Sequence, residues 1–292
     1  MKLVSYRQGA TTRLGVISGD SVIDMNLAQP HVPADLGAAL WQGIDLQVAA
    51  KAALASNAAR IPLAGLIYAA PVTRPGKIIC LGLNYFDHAK EGGREKPDYP
   101  WFFFRGATSL IAHGEPGIRP RVSERFDFEA ELAVVIGKKA RHLTETNALS
   151  CVFGYSCFND MSVRDYQKKT PQWTIGKNFD GTGGFGPVLV TADDLPPGAV
   201  GLNIQSRLNG QVMQSANTTD MIWSVAETIA LLTECLTLEP GDVIIMGTPA
   251  GVGQARTPPV WMKHGDTIEI EIEKVGLLTN PIQDETLSSS VQ

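Results

Sequence analysis

The sequence contains little cysteine. Four cysteines occur among 292 residues, at positions 80, 151, 157 and 235, and no two have the Cys-x-x-Cys spacing of zinc and redox sites. Each lies in apolar surroundings, which is typical of a buried free thiol. The sequence therefore predicts neither a disulfide framework nor a zinc centre.

The chain also lacks long apolar runs and blocks of positive charge. No stretch approaches the roughly 20 apolar residues of a membrane-spanning helix, and the first residues lack the apolar segment of a signal peptide. The formal net charge is -5 and no run of Lys or Arg stands out, unlike in proteins that bind nucleic acid or anionic membranes. We therefore expect a cytoplasmic protein with neither kind of partner.

Length and composition are those of a globular enzyme. Hydrophobic residues make up 44% of the chain and charged residues 19%. A chain of this length can form one large domain, or one large and one small domain. We predict a small N-terminal domain over residues 1–70, a catalytic domain over 71–285 and a tail over 286–292, with the boundary in the proline-containing segment 71–75.

The predicted N-terminal domain carries no cluster of potential ligands. Strands are predicted at residues 2–6 and 15–24, with the Gly-Asp pair inside the second segment forming a hairpin turn. An Ala-rich helix is predicted at residues 45–60. We interpret this domain as a scaffold or a dimer cap.

The segment from 128 to 136 has the pattern of a strand. Apolar residues occupy every even position, so Glu129 and Glu131 share the opposite face. Neighbours on one face of a strand are about 6.5–7 Å apart, which lets two carboxylates converge on one cation. Carboxylate oxygens suit Mg²⁺ or Mn²⁺. The alternative is a solvated face of an antiparallel strand.

A second apolar strand, at residues 151–160, ends on Asp160, which is placed to supply a third metal ligand. The following residues have the pattern of a helix with Arg164 and Gln167 on one side. A glycine-rich segment at 176–187 lacks the spacing of phosphate-binding loops. We interpret Lys177, in a loop that buries little, as a cation aimed at a substrate oxygen.

A short strand at residues 77–83 leads into Asn84, which we predict to cap a helical turn. His88 and Glu91 are three residues apart on that turn, so their side chains face the same way. Such a pair can hold an imidazole in one tautomer and raise its basicity, as a general base requires. The alternative is a surface ion pair of little effect.

A strand at residues 243–246 delivers a second dense set of glycines, at 247–253. Glycines at a strand end permit close approach of the backbone to a ligand, and the Thr248 hydroxyl is available to an anion. The alternative is a tight barrel corner. Three further elements are predicted: a hairpin turn at Asn209-Gly210, a helix at 224–237 and a strand with a solvated acidic face at 268–272.

The ordered set of motifs resembles the fumarylacetoacetate hydrolase family over residues 73–282. Each motif is weak alone, but five in this order are a strong signal. The matching pieces are Gly82-Leu83-Asn84-Tyr85 with His88 and Glu91, Glu129-x-Glu131 before Leu-Ala-Val-Val-Ile-Gly, Asn159-Asp160 with Arg164 and Gln167, Gly176-Lys177-Asn178-Phe179-Asp180, and Gly247-Thr248-Pro249-Ala250-Gly251-Val252-Gly253.

The resemblance implies a fold that is mainly β with some α. The expected architecture is a mixed β-roll or sandwich of packed sheets, preceded by a small α+β domain and usually assembled as a homodimer. The resemblance also implies Mg²⁺ or Mn²⁺ held by Glu129, Glu131 and Asp160. The implied substrate is a 2,4-dioxo acid whose pyruvate end binds the metal.

The resemblance also gives roles to individual side chains. His88, oriented by Glu91, is expected to accept a proton, and Lys177 to stabilise a developing oxyanion. The residues expected to bind substrate are Tyr85, Arg105, Ser109, Arg164, Gln167 and Thr248. The aromatic run at 99–105 suits a pocket wall or a buried strand. At its end this chain has Arg105-Gly106 where many members have Lys-Pro.

Three hypotheses for function follow. The first is hydrolysis of a C–C bond in acylpyruvates such as fumarylpyruvate, maleylpyruvate or 2,4-diketo-3-deoxy sugar acids, giving pyruvate and a carboxylic acid. The second is decarboxylation of oxaloacetate or isomerisation of a dienoate at the same metal site, because all these reactions pass through an enolate. The third is a metal-dependent ligand-binding protein without turnover. The His-Glu pair favours the first, and the presence of every expected catalytic residue argues against the third.

Overall fold

The computed structural model of the protein describes residues 1–93, 95 and 97–286. The strands are β1 (Lys2–Gln8), β2 (Thr11–Ser18), β3 (Ser21–Asp24), β4 (Arg60–Pro62), β5 (Ile78–Gly82), β6 (Trp101–Arg105), β7 (Leu110–Ile111), β8 (Gly117–Arg119), β9 (Phe126–Asp127), β10 (Ala130–Ile136), β11 (Val152–Asp160), β12 (Ser162–Val163), β13 (Gly183–Thr191), β14 (Asn203–Leu208), β15 (Gln211–Asn217), β16 (Val243–Ile245), β17 (Thr267–Ile272) and β18 (Gly276–Asp284). The α-helices are α1 (Met25–Ala28), α2 (Leu36–Trp41), α3 (Leu46–Ala55), α4 (Phe86–Glu91), α5 (Glu145–Ala148), α6 (Arg164–Gln167), α7 (Thr174–Lys177) and α8 (Val225–Cys235). The predicted C-terminal tail lies, except for residue 286, outside the described residues.

The strands form a large sheet and a smaller one. The large sheet has the order β4-β3-β2-β1-β13-β11-β10-β16-β5-β6, with β7 added beside β13. The smaller sheet has the order β15-β14-β17-β18-β8, and β9 pairs with β12. This sheet-dominated architecture confirms the predicted fold class.

β10 lies centrally in the large sheet and is buried on both faces. Its even-numbered residues, such as Leu132 and Val134, face a core shared with β17 and α8. Ala133 and Val135 face a second core, which includes residues of α2 and α3. The sequence of a strand that is buried on both faces is a nearly continuous apolar run, and the sequence of β10 has this pattern.

Residues 1–70 extend the large sheet. β1 pairs with β13, and β1 to β4 form an antiparallel meander with the predicted Gly-Asp turn between β2 and β3. Asp45 caps α3, which ends at Ala55 rather than at the predicted residue 60, because the chain becomes extended at Ser56. The domain boundary near residue 71 stays a prediction.

Other predicted elements lie close to their expected positions. Asn209 and Gly210 have positive φ angles of 51° and 81°, as a type I′ hairpin turn requires. α8 follows Ser224, whose side chain caps its first turn. The acidic side of β17 pairs with Arg207 on β14. In the part of the chain that the structure describes, no helix has the length and hydropathy to cross a membrane.

Candidate active site

The candidate site lies where the ends of four neighbouring strands of the large sheet meet. The start of β10 lies beside the end of β11, because Ala130 pairs with Asn159. β16 is antiparallel to β10 and ends next to its first residues, and β5 runs parallel to β16. The start of β10, the end of β11 and the segments that follow β5 and β16 therefore converge.

Three carboxylates come together at this edge. Glu129, Glu131 and Asp160 each offer an oxygen atom within 4.8 Å of the other two. Glu129 is 5% exposed, Glu131 1% and Asp160 0%, so the alternative of a solvated face is wrong. The backbone N–H of Asp160 also donates to the Glu129 carbonyl at 3.0 Å, which fixes the two strands in register. The structure thus groups the three predicted metal ligands.

Lys177 lies between two of these carboxylates. Its Nζ is 2.7 Å from Glu129 Oε2 and 2.6 Å from Asp160 Oδ2. The lysine ends α7 and is 2% exposed, so the prediction of a loosely held lysine in a loop is wrong. Burial lowers the pKa of Lys177, but Asp160 and Glu129 outweigh burial and raise it, which keeps the group charged.

Glu131 carries the least compensated charge of the three. Its Oε2 accepts a hydrogen bond from the Gly247 N–H at 2.6 Å, and among the described residues it has no ion-pair partner. Burial, together with the charges of Asp160 and Glu129, raises the pKa of Glu131 well above its ordinary value. A bound cation would relieve this cost. Three converging carboxylate oxygens therefore fit a divalent metal ion.

Arg164 joins this cluster to a further acid. Its Nε lies 2.7 Å from Asp127 Oδ2, and its Nη1 lies 2.6 Å from Glu129 Oε1 and 3.0 Å from Gln167 Oε1. Sequence analysis missed Asp127, although this residue lies two positions before Glu129 and continues the same row. The alternation of acids was the signal that could have identified it.

The glycine loop, residues 247–253, holds the acids through its main chain. Three of its N–H groups donate to three different carboxylates: Gly247 to Glu131, Gly251 to Glu91 and Gly253 to Asp127, at 2.6, 2.9 and 2.7 Å. At Gly247, φ is 86° and a Cβ would lie 2.7 Å from the Cβ of Asn84. Only glycine fits there. The close approach predicted for these glycines is therefore made to side chains of the site.

α4 brings the predicted histidine and acid together. His88 Nδ1 lies 3.3 Å from Glu91 Oε2, and the two side chains are 15% and 22% exposed. The other carboxylate oxygen of Glu91 accepts the Gly251 N–H. One acid thus orients the imidazole and ties α4 to the glycine loop.

Two predicted roles at the ends of β5 and β16 are wrong. The Thr248 hydroxyl donates to the Ala130 carbonyl at 2.9 Å, so its proton is not available to an anion. Asn84 does not cap α4, because its side chain donates to the Met246 carbonyl at 2.7 Å and accepts the Trp223 N–H at 2.8 Å. Both side chains connect strands and loops.

Three predicted substrate contacts lie behind the site. Arg105 forms an ion pair with Asp160 and donates to the Ser109 hydroxyl at 3.3 Å. Tyr85 is buried, and burial followed by the charge of Glu131 raises its pKa. Among the described residues, the cavity lining does not include Tyr85, Arg105 or Ser109, so a direct contact of these residues with substrate stays a prediction. Arg105 neutralises Asp160.

The remaining groups line one cavity of about 740 Å³. Trp101 and Phe103, from the predicted aromatic run, form an aromatic wall with Trp173, whose ring centroid is 5.2 Å from that of Trp101. Nothing in the sequence marked Trp173. Lys177, His88, Glu91, Arg164, Gln167 and Thr248 line the same cavity as Glu129 and Glu131.

Comparison with known proteins finds relatives that are similar in sequence and in fold. Residues 77–283 match the family described as fumarylacetoacetate (FAA) hydrolase C-terminal. The chain is 39% identical over 288 residues to the human mitochondrial oxaloacetate tautomerase FAHD2A, covering 97% of this chain and 91% of that protein.

Two solved structures share the architecture. A fumarylacetoacetate hydrolase from Exiguobacterium antarcticum has a TM-score of 0.84 at 35% identity, with 98% of this chain and 100% of that chain covered. Maleylpyruvate hydrolase from Sphingobium sp. SYK-6, in complex with manganese(II) and pyruvate, has a TM-score of 0.80 at 32% identity and the same coverage. With its buried triad of acids and its match to the family over more than half its length, this chain belongs to the fumarylacetoacetate hydrolase family.

Proposed function

We propose that the protein is a divalent-metal-dependent tautomerase that interconverts the keto and enol forms of oxaloacetate or a similar 2-oxo acid. The observation that carries this proposal is that two acids of the carboxylate triad, Glu129 and Glu131, line one cavity together with Lys177 and the His88–Glu91 pair. Similarity to an oxaloacetate tautomerase over nearly the whole chain supports the substrate class.

Tautomerisation moves a proton between C3 and the C2 oxygen of the substrate. A divalent cation held by Glu129, Glu131 and Asp160 supplies electrophilic stabilisation of the substrate oxygens when bound. His88 directs Nδ1 at Glu91, which leaves Nε2 to take the proton from C3 and deliver it to the C2 oxygen, or to carry it in the reverse direction when the keto form is made. Lys177 adds a fixed positive charge beside the acids.

The test follows the conversion of enol to keto oxaloacetate by the loss of enol absorbance. We expect acceleration by the protein with Mn²⁺ or Mg²⁺, none with chelator, and a loss of about 100-fold or more in His88→Ala, as for removal of a general base. The exposed His31, changed to Ala, is the matched control. A rate no faster than free metal would refute the proposal, and metal-dependent oxalate binding without turnover would favour a binding protein.

Acylpyruvate hydrolysis is the second candidate. It is favoured by the size of the cavity and its aromatic wall, which leave room for an acyl group beyond the pyruvate end. The similarity to maleylpyruvate hydrolase supports it as well. His88 would then take a proton from the attacking water. Release of pyruvate from a panel of 2,4-dioxo acids, measured against the tautomerase rate, decides which reaction is the main one.

A further inference from the structure

Two consecutive lysines follow α6 on the cavity wall, and their surroundings differ. The Nζ of Lys169 lies 3.3 Å from the centroid of the Tyr166 ring, where the π face holds the charge. Lys168 has no ion-pair or hydrogen-bond partner for its ammonium group within residues 1–93, 95 and 97–286. Lys168 is therefore a cation at the cavity wall without an acceptor.

The charges around Lys168 are mostly positive. Burial, Arg164 and Arg125 lower the pKa of Lys168, and they outweigh the opposite effect of Asp127. Such a shift is expected where a cation lacks a counter-anion. An anionic ligand beside this group would supply one.

Arg164 provides a second donor without a partner in the same wall. Its Nε and Nη1 are paired with Asp127 and Glu129, but its Nη2 is buried and has no hydrogen-bond partner among the described residues. Leaving a buried donor of this kind unpaired costs free energy, which a hydrogen bond to a ligand oxygen would recover. The side-chain carbonyl of Gln254, also on the wall, is unpaired too, and its amide can present either end to a ligand.

The balance of charge points to a ligand with two negative charges. Four buried carboxylates face three buried cations in and behind the site: Asp127, Glu129, Glu131 and Asp160 against Arg105, Arg164 and Lys177. A divalent cation among the carboxylates leaves these groups with one positive charge in excess. On the rest of the cavity wall, the exposed Lys168 and Lys169 add two positive charges and Glu91 removes one, so the excess is two. A 2-oxo dicarboxylate would balance both excess positive charges, whereas a 2-oxo monocarboxylate would balance one.

We propose that Lys168 and the Nη2 edge of Arg164 bind the distal carboxylate of the substrate, with Gln254 beside them. Lys168 is thereby the residue that makes the enzyme select dicarboxylic over monocarboxylic 2-oxo acids. This inference rests on the proposed function and deepens it. Lys169, held over Tyr166, does not take part.

The experiment compares Lys168→Gln with Lys169→Gln as matched control and Lys168→Arg as the charge-preserving variant. Oxaloacetate and 2-oxobutyrate differ only in a carboxylate against a methyl group. We expect Lys168→Gln to raise the KM for oxaloacetate about tenfold at low ionic strength, as for loss of one charge-assisted bond, with kcat within about twofold. Inhibition by 2-oxobutyrate and calorimetric binding of oxalate with Mn²⁺ should stay unchanged.

Lys168→Arg should keep the KM of the unchanged protein, and so should Lys169→Gln. An unchanged KM in Lys168→Gln, or an equal rise in Lys169→Gln, would overturn the subsite while leaving the tautomerase intact. A weaker oxalate complex in Lys168→Gln would also overturn it, because that ligand has no distal group in this position. Absence of oxaloacetate turnover in the unchanged protein overturns both proposals.

Discussion

Lys177 illustrates how one buried residue can serve stability and chemistry together. Its ammonium group separates Glu129 from Asp160, and removing it would leave two buried acids facing each other. Breaking a buried pair costs about 3–5 kcal/mol, which is roughly 6 °C or more in Tm for a chain of this size. We expect that loss in metal-free Lys177→Ala by calorimetry, with little change in Lys51→Ala on the surface of α3. An unaltered Tm would restore the interpretation as a loosely held catalytic cation.

For Glu131 we expect a substitution to affect metal binding rather than the stability of the metal-free protein. Its charge is unfavourable in the metal-free site, so Glu131→Gln should leave the metal-free Tm equal or higher. The same change removes an anionic ligand, so affinity for Mn²⁺ should fall strongly, by about 100-fold or more in calorimetric titration. Glu269→Gln, on the outer side of β17, is the control and should alter neither. Retained metal affinity in Glu131→Gln would exclude this carboxylate as a ligand.

Single residues also show which parts of the site a sequence can reveal. The alternation around Glu129 and Glu131 is local, so it predicted their shared face directly. The ion pair of Asp127 with Arg164 forms because β9 pairs with β12. A local sequence pattern cannot predict this pairing. Asn84 has a favourable capping residue type, but bonds to Met246 and Trp223 override the local preference.

Among the secondary-structure elements that line the cavity, α4 is held by few buried contacts. Of its residues only Ala89 is buried, and a single hydrogen bond from Gly251 to Glu91 ties its last turn to the glycine loop. Segments with few buried contacts open most readily. We therefore predict that residues 84–93 form a lid that closes over the bound ligand.

Hydrogen exchange tests this lid. Amides of residues 86–91 should exchange more slowly when oxalate and Mn²⁺ are added, because the turn closes over the ligand. In Glu91→Ala the protection should be lost while Mn²⁺ affinity stays unchanged, and Asp87→Ala on the same helix is the control. Equal protection with and without ligand would show that α4 is a fixed wall.

At the scale of the whole molecule, the N-terminal segment and the predicted catalytic domain share one core. Leu3 and Leu14 pack in the same cluster as Phe158 and Phe185. Losing such neighbours costs about 1.5–3 kcal/mol per large apolar side chain, against a total stability of about 5–15 kcal/mol. The homodimer and the cytoplasmic location, in contrast, stay predictions from the resemblance and the composition.

Removal of residues 1–70 measures how independent the two parts are. We expect the shortened chain to bind hydrophobic dye and to lose a cooperative thermal transition, because one face of the large sheet is uncovered. The full chain under the same conditions is the control. A shortened protein with a Tm within a few degrees of the full chain would instead support an autonomous domain that begins near residue 71.

The glycine loop has a consequence for how this enzyme can be altered. Its three N–H donors belong to the main chain, so exchanging the side chains of Ala250 or Val252 leaves all of them in place. Alanine scanning cannot detect the role of these donors, because the substituted residue keeps its main-chain N–H. An amide-to-ester replacement at Gly251 would remove a single donor. Libraries built to change substrate preference should therefore keep Gly247, Gly251 and Gly253 and vary Trp101, Lys168 and Trp173 around the cavity.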